Sequence, residues 1–193
     1  KIIMNHYETF ALLRDVDASL IPHGDKMILS KGAPAYITQS LGGSHTVVVG
    51  GNMYRVEGRD ADALGAKPEQ TPADTATRAT TKEELDEQIW EQLKTVYDPE
   101  IPVNLADLGL IYSRDVSRIC DKETFKPTDN WRIDVKMTLT APGCGMGPTL
   151  QEDVKNKLLC IKGVDEVNVE LIWDPPWGQE MMSDGAKLEL GMM

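Results

Sequence analysis

Trp131-Arg132-Ile133-Asp134-Val135-Lys136-Met137-Thr138-Leu139-Thr140 alternates apolar and polar residues and runs directly into Ala141-Pro142-Gly143-Cys144-Gly145-Met146-Gly147-Pro148. The alternation predicts a half-buried strand, with Trp131, Ile133, Val135, Met137 and Leu139 on the core and Arg132, Asp134, Lys136, Thr138 and Thr140 on a wet face. Pro142 ends the strand, and Pro148 suits the first turn of a helix. That helix is expected over about Thr149–Ile161, burying Leu150, Val154, Leu158 and Ile161, with Gly163 as its stop. A further strand alternates Val167, Val169, Leu171 and Trp173. Two strands joined through a helix run parallel with a right-handed crossover. The glycine loop holding Cys144 therefore lies at the carboxyl end of a parallel strand, where open α/β sheets place ligands.

Working upstream, Thr81 and Glu84 fit a capping box, and Leu85, Ile89, Leu93 and Val96 recur at helical spacing. Asp98-Pro99 ends that helix. An acidic turn, Asp98-Pro99-Glu100-Ile101-Pro102-Val103-Asn104, leads through Asp107-Leu108-Gly109 into a strand at Leu110–Arg114. A polar loop holding Cys120 is expected before Trp131. Downstream, Asp174-Pro175-Pro176-Trp177-Gly178 breaks the last strand, and a short tail helix is expected around Met181–Leu190. The order helix–strand–strand–helix–strand predicts a mixed three-stranded sheet, its first pair antiparallel.

Residues 1–65 read instead as a small all-β domain, a barrel or sandwich. Strands are expected at Ala18–Ile21, Lys26–Leu29, Ala35–Gln39, Thr46–Val49 and Met53–Val56, and Gly50-Gly51-Asn52 is a hairpin signal. Gly42-Gly43-Ser44-His45 reads as a plain turn in preference to a phosphate nest. Residues 66–80, rich in Pro, Ala and Thr with no large apolar side chain, read as a solvated linker. The fold class is thus α+β, with α/β-like connectivity in the module at 81–193.

The 193-residue chain carries a net charge of −11, with 12 basic and 22 acidic side chains in residues 81–193 alone. An acidic module repels phosphate backbones, which argues against nucleic-acid binding. No apolar run approaches a membrane span, and no apolar leader with a processing site opens the sequence. Three cysteines, Cys120, Cys144 and Cys160, form no disulfide pattern and fit a reducing compartment. The expected location is the cytoplasm.

Cys144 is the residue on which chemistry turns. A loop ahead of a helix N-terminus stabilises a thiolate through unpaired N–H groups. Nucleophilic catalysis needs a base or cation beside the sulfur, and residues 81–193 contain no histidine. The carboxylates Asp98, Glu100 and Asp107, at the same sheet end if the acidic turn lies there, raise a thiol pKa. As a metal ligand, Cys144 could hold iron, zinc or a cluster, supported by Asp98, Glu100, Asp107 and the hydroxyls of Thr138 and Thr140. No CxxC occurs, and a stable iron–sulfur cluster takes four protein ligands. A cluster here would need a second subunit, a partner or an external thiol, and would be labile. Three readings follow: a factor that handles iron or cluster transiently, an adaptor that docks scaffold and client proteins without metal, and a thiol-dependent enzyme. Trp173 and Trp177 read as core and turn packing, and Met181-Met182 with Met192-Met193 as a weak signal for a subunit contact.

DPEIPVNLADLGLIY (98–112), VKMTLTAPGCGMGPTLQEDV (135–154) and VNVELIWDPPW (167–177) together resemble the small domain of SufT-type iron–sulfur maturation factors. That domain is shared with the cytosolic iron–sulfur targeting factor and a phenylacetate-pathway maturation protein. LIPHGDKMILSKGAPAYITQSLGGSHTVVV (20–49) resembles the extra domain specific to SufT. The resemblance implies a non-enzymatic maturation factor working with assembly scaffolds, carriers and apo-clients; a homo-oligomer is a separate expectation. It maps the family's reactive cysteine onto Cys144 and its acidic turn onto Asp98-Pro99-Glu100. The family often carries a cysteine near its start, where this chain reads Arg14-Asp15-Val16-Asp17.

Overall fold

The computed structural model describes residues 8–67, 72–98, 101–141, 143 and 145–192. The chain divides into two compact units, Lys1–Glu69 and Gln70–Met193.

In the first unit, β1 (Phe10–Ala11), β2 (Val16–Leu20), β3 (Lys26–Leu29), β4 (Pro34–Leu41), β5 (Ser44–Val49) and β6 (Asn52–Glu57) form one antiparallel sheet in the order β1-β4-β5-β6-β2-β3. The five expected strands are present, and β1 is an addition. Two tight turns set the β4–β5–β6 register. Gly50 and Gly51 join the paired Val49 and Asn52 with φ of 59° and 86°, and consecutive positive φ is what a two-residue hairpin turn requires. Gly42 and Gly43 do the same between Leu41 and Ser44, so this stretch is a hairpin turn. The unit is a single sheet in place of the expected barrel or sandwich. Its apolar face, with Val16, Leu29, Val47 and Val56, is covered by Leu12 and by a 3-10 turn at Gly58–Leu64 that brings in Ala63 and Leu64. His45 is buried and paired with the Ser40 hydroxyl, while His23 is exposed. His6 lies outside the described residues.

The second unit contains α1 (Pro72–Thr75), α2 (Lys82–Leu93), β7 (Ile111–Cys120), β8 (Pro127–Met137), α3 (Gly147–Leu159), β9 (Val164–Leu171), a 3-10 turn (Gln179–Met181) and α4 (Asp184–Glu189). The capping box forms as expected: Thr81 accepts from the Glu84 N–H, and the Glu84 side chain accepts from the Thr81 N–H. The sheet order is β7-β8-β9, the first pair antiparallel and the second parallel. Its inner face, Ile133, Val135 and Met137, packs with Leu85, Ile89 and Leu93 of α2 and Leu150, Val154 and Leu158 of α3 in a fully buried core. Among the described residues no helix is long and apolar enough to cross a membrane.

Two expectations fail here. Cys120 is the last residue of β7 and not part of a loop, because β7 continues six residues beyond Arg114. Residues 72–80 are only partly solvated: Asp74, Thr75, Thr77, Arg78 and Thr80 are exposed, but the stretch is anchored. Ala73 and Ala79 are buried, and side chains from the rest of the unit grip this backbone. Gln92 Oε1 accepts from the Ala73 N–H at 3.2 Å, and Gln88, Lys162 and Arg118 donate to the carbonyls of Thr77, Ala76 and Thr80 at 2.9, 3.0 and 2.9 Å. A strap can thus be fixed through its peptide groups without large apolar side chains of its own.

Candidate functional site

One end of the three-stranded sheet gathers the segments that the sequence singles out. Ile111, Met137 and Leu171 lie in one row across β7, β8 and β9. The row is continued by backbone bonds from Thr138 N–H to the Leu110 carbonyl at 2.9 Å and from Ile172 N–H to the Met137 carbonyl at 2.8 Å. The acidic turn enters β7, the cysteine loop leaves β8, and the tail leaves β9, all at this end.

The described residues that flank and follow the acidic turn are tied together by their own bonds. Tyr97 and Asn104 form an isolated antiparallel bridge. Leu105 N–H reaches the Val96 carbonyl at 2.8 Å, and Leu110 N–H the Leu105 carbonyl at 3.0 Å. Asn104 and Asp107 bond reciprocally: the Asn104 amide donates to Asp107 Oδ2 at 2.6 Å, and the Asp107 N–H donates to Asn104 Oδ1 at 2.8 Å. One oxygen of Asp107 is therefore already committed within the turn. Asp98 is buried. Glu100 lies outside the described residues.

The tail clasps this turn. Trp177 donates its indole N–H to the Leu108 carbonyl at 2.8 Å, and the Ser183 N–H donates to the Asp107 carbonyl, also at 2.8 Å. Tyr112 donates its hydroxyl to the Pro175 carbonyl at 2.8 Å. Gly109 has a φ of 73°, and its α-carbon sits against the backbone of Met181, where no side chain fits. Trp177 thus packs on the turn as expected, whereas Trp173 is 45% exposed. Sequence reasoning missed the clasp. Its available signal was the Trp-Asp-Pro-Pro-Trp run, whose prolines hold the chain out of the sheet.

The loop itself is bounded by described residues on both sides. β8 stops at Met137, and the alternation stops with it: Thr138 and Leu139 are both buried, so Thr138 does not lie on a wet face. The Thr138 hydroxyl has no hydrogen-bond partner among the described residues although the residue is only 1% exposed. Thr140 is half-buried. Gly147 lets α3 approach β8 and β9 closely, since a Cβ there would meet Leu139 Cδ1 at 2.8 Å and Leu171 Cδ1 at 3.4 Å. Met146 occupies the N-cap of α3 and supplies no side-chain oxygen, with no acidic residue in the first turn. The leading N–H groups of a helix without a side-chain cap attract an anion. Cys144 itself lies outside the described residues.

The other two cysteines are remote from this end. Cys120 closes β7 opposite Pro127, and a ten-residue strand spans about 30 Å. Cys160 follows the thirteen residues of α3, about 20 Å beyond its N-terminus. It is exposed, with its thiol donating to the Asn156 carbonyl at 3.3 Å. Among the described residues no three His, Cys, Asp or Glu side chains are grouped to hold a metal ion.

Comparison with known proteins bears on the same unit. Residues 86–171 match the family described as iron-sulfur cluster assembly protein. An Fe-S protein maturation auxiliary factor of Porphyromonas gingivalis is 44% identical over 110 residues, covering 57% of this chain and 94% of the relative. The Fe-S protein maturation auxiliary factor YitW of Bacillus subtilis is 33% identical over 58% of this chain and 98% of its own. The factor named SufT in Staphylococcus aureus is 37% identical over 50% of this chain and 98% of its own.

Proposed function

The chain belongs to the SufT-type family of iron–sulfur protein maturation factors, and from that premise we propose that it handles iron or an iron–sulfur cluster transiently through Cys144 and delivers it to apo-proteins. Participation in iron–sulfur assembly follows from the family; the handling residue and the delivery step are our reading. Iron or cluster is cargo here, held briefly with ligands from a scaffold, a carrier or a second copy. The protein works in the cytoplasm and performs no catalysis of its own.

The observation that carries this reading is the buried Thr138 hydroxyl, which stands at the base of the loop with no partner among the described residues. A buried polar group without a hydrogen bond is costly, and a bound polar or anionic species beside it removes that cost. The uncapped start of α3 adds partial positive charge at the other side of the loop. Asp98, Glu100 and Thr140 are the supporting residues in this proposal. Asp107 has a smaller share, because Asn104 already engages its carboxylate.

Anaerobic reconstitution with iron and sulfide tests the proposal directly. The expected result is iron and sulfide retained by the full chain and lost in Cys144→Ser. Equal retention in the two proteins would remove Cys144 as a ligand. If Cys144→Ser also retained its partners and its activity in a cluster-transfer assay, the adaptor reading would replace this one.

A further inference from the structure

The two edges of the six-stranded sheet are unlike. At one, β1 is two residues long, and β4 behind it is bulged between Ile37 and Gln39. Short and bulged edges resist pairing with another chain. At the other, β3 pairs with β2 without a bulge, contains no proline, and has no neighbour on its outer side among the described residues. Met27 is 44% exposed and Ile28 69%. A regular edge strand with exposed apolar side chains is a template for another strand.

The hydrogen-bond phase of β3 follows from the turn that joins it to β2. Leu20 N–H donates to the Asp25 carbonyl at 2.8 Å. Leu20 and Asp25 continue the register in which Ser19 opposes Lys26, so Asp25, Met27 and Leu29 direct their peptide groups at β2. In an antiparallel ladder such positions alternate, which points the N–H and C=O groups of Lys26, Ile28 and Ser30 outward. The Ser30 carbonyl accepts from the Ala33 N–H at 3.1 Å and keeps a second lone pair. The side chains alternate in step. Met27 and Leu29 lie on the face of Val16 and Ala18, which is the buried one, and Ile28 lies on the face of Asp17.

We propose that this edge is an interface between two copies of the chain, which pair β3 to β3 antiparallel about a twofold axis at Ile28. An outward peptide group needs an outward partner, so even-numbered residues must oppose even-numbered ones. Centring on Lys26 sets two lysines against each other. Centring on Met27 or Leu29 sets Asp25 or Lys31 against an apolar residue. Centring on Ile28 places Ile28 against the partner's Ile28, Met27 against the partner's Leu29 and Lys26 against the partner's Ser30. It also places Asp25 against the partner's Lys31, twice by symmetry, and both positions are exposed. Apolar contacts in the middle and an opposite-charge pair at each end make this edge complementary to itself. A twofold contact closes on itself and gives a dimer, not a fibre. The interface is independent of any handling of iron by Cys144.

Sedimentation of the full chain over a range of concentrations, at low and high salt, tests this. A reversible dimer is expected, because a single strand pair is a small interface, and salt should weaken it. Ile28→Lys should leave the chain monomeric, since it sets like charges on the axis at a side chain that is 69% exposed and outside the core. Asp25→Lys and Lys31→Asp should each weaken self-association about tenfold or more, since each creates like-charge pairs at both ends. Mixed in equal amounts, these two variants should form a heterodimer as tight as the wild-type dimer, with every opposite-charge pair restored. A wild-type chain that stays monomeric, a dimer that survives Ile28→Lys, or charge variants that fail to associate with each other would each overturn the proposal.

Discussion

Trp177 and Leu108 are joined across 69 residues of sequence by one hydrogen bond, indole N–H to carbonyl, 2.8 Å long. It is the most specific link between the tail and the acidic turn, because Leu108 is buried and its carbonyl has no water to fall back on. Trp177→Phe keeps the ring and removes the donor. It should destabilise the second unit by about 1–3 kcal/mol, read as a lower urea midpoint with unchanged slope. Trp173→Phe, at a 45% exposed side chain, should stay within about 0.5 kcal/mol. Equal effects in the two variants would mean that the bond does not hold the tail.

Gly109 and Gly143 make a matched pair for a second measurement. Both have positive φ, 73° and 83°, but only Gly109 faces backbone, that of Met181, while Gly143 has nothing within 4 Å. Gly143→Ala should therefore cost only the conformational part, about 1 kcal/mol. Gly109→Ala adds an overlap that the Met181 carbonyl cannot avoid without moving, a further ~1–3 kcal/mol. The tail should become the first site of limited proteolysis in Gly109→Ala and not in Gly143→Ala.

The strand that leads into the loop was legible because its core-facing positions are all apolar. The part of β7 beyond Arg114 was not, and the reason is chemical. Its core-facing positions after Ile111 are Arg114, Val116 and Arg118, and the two arginines do the work of apolar residues by lying over rings. Arg114 stacks 4.5 Å from the centroid of Trp90 while bonding Asp86 at 2.7 and 2.9 Å, and Arg118 stacks 3.5 Å from Trp131. A pattern of hydropathy reads such a stretch as a polar loop, although a guanidinium on an indole face is a favourable buried contact. The strap at 72–80 was missed for a related reason: its anchors are main-chain groups, which sequence does not distinguish. At the loop, the shared sheet end at which β7 begins and β8 stops followed from connectivity alone. The burial of Thr138 did not, since it depends on β8 ending at Met137, three residues earlier than its alternation implies.

Acid should reveal the capping box of α2. The N–H and hydroxyl of Thr80 and the N–H of Thr81 hold the Glu84 carboxyl below its ordinary value of 4.5. A group whose folded-state pKa is depressed contributes stability above its unfolded value and loses it as pH falls through the folded one. The contribution of the box is thus intact above pH 4.5 and fades below it. Glu84→Gln should flatten the acid limb of the stability curve between about pH 5 and 3. Thr81→Ala should lower stability by about 1 kcal/mol while also changing that limb. Parallel acid limbs in wild type and Glu84→Gln would assign the acid sensitivity to other carboxylates.

Thr138 gives the sharpest test at the loop, because a structural and a functional hydroxyl predict opposite signs. A hydroxyl that is buried and unpartnered in the unloaded protein is a liability there, so Thr138→Val should raise the stability of the unloaded chain, by up to about 1–3 kcal/mol. The same variant should retain less iron and sulfide after anaerobic reconstitution, since the donor to the bound species is gone. Thr138→Ser keeps the hydroxyl and should restore retention while losing a methyl group, about 1 kcal/mol of stability. Urea unfolding of the two unloaded variants, set beside their iron content, separates the cases. A Thr138→Val protein that is less stable than wild type and binds iron equally well would make the hydroxyl a structural group and leave the loop without it.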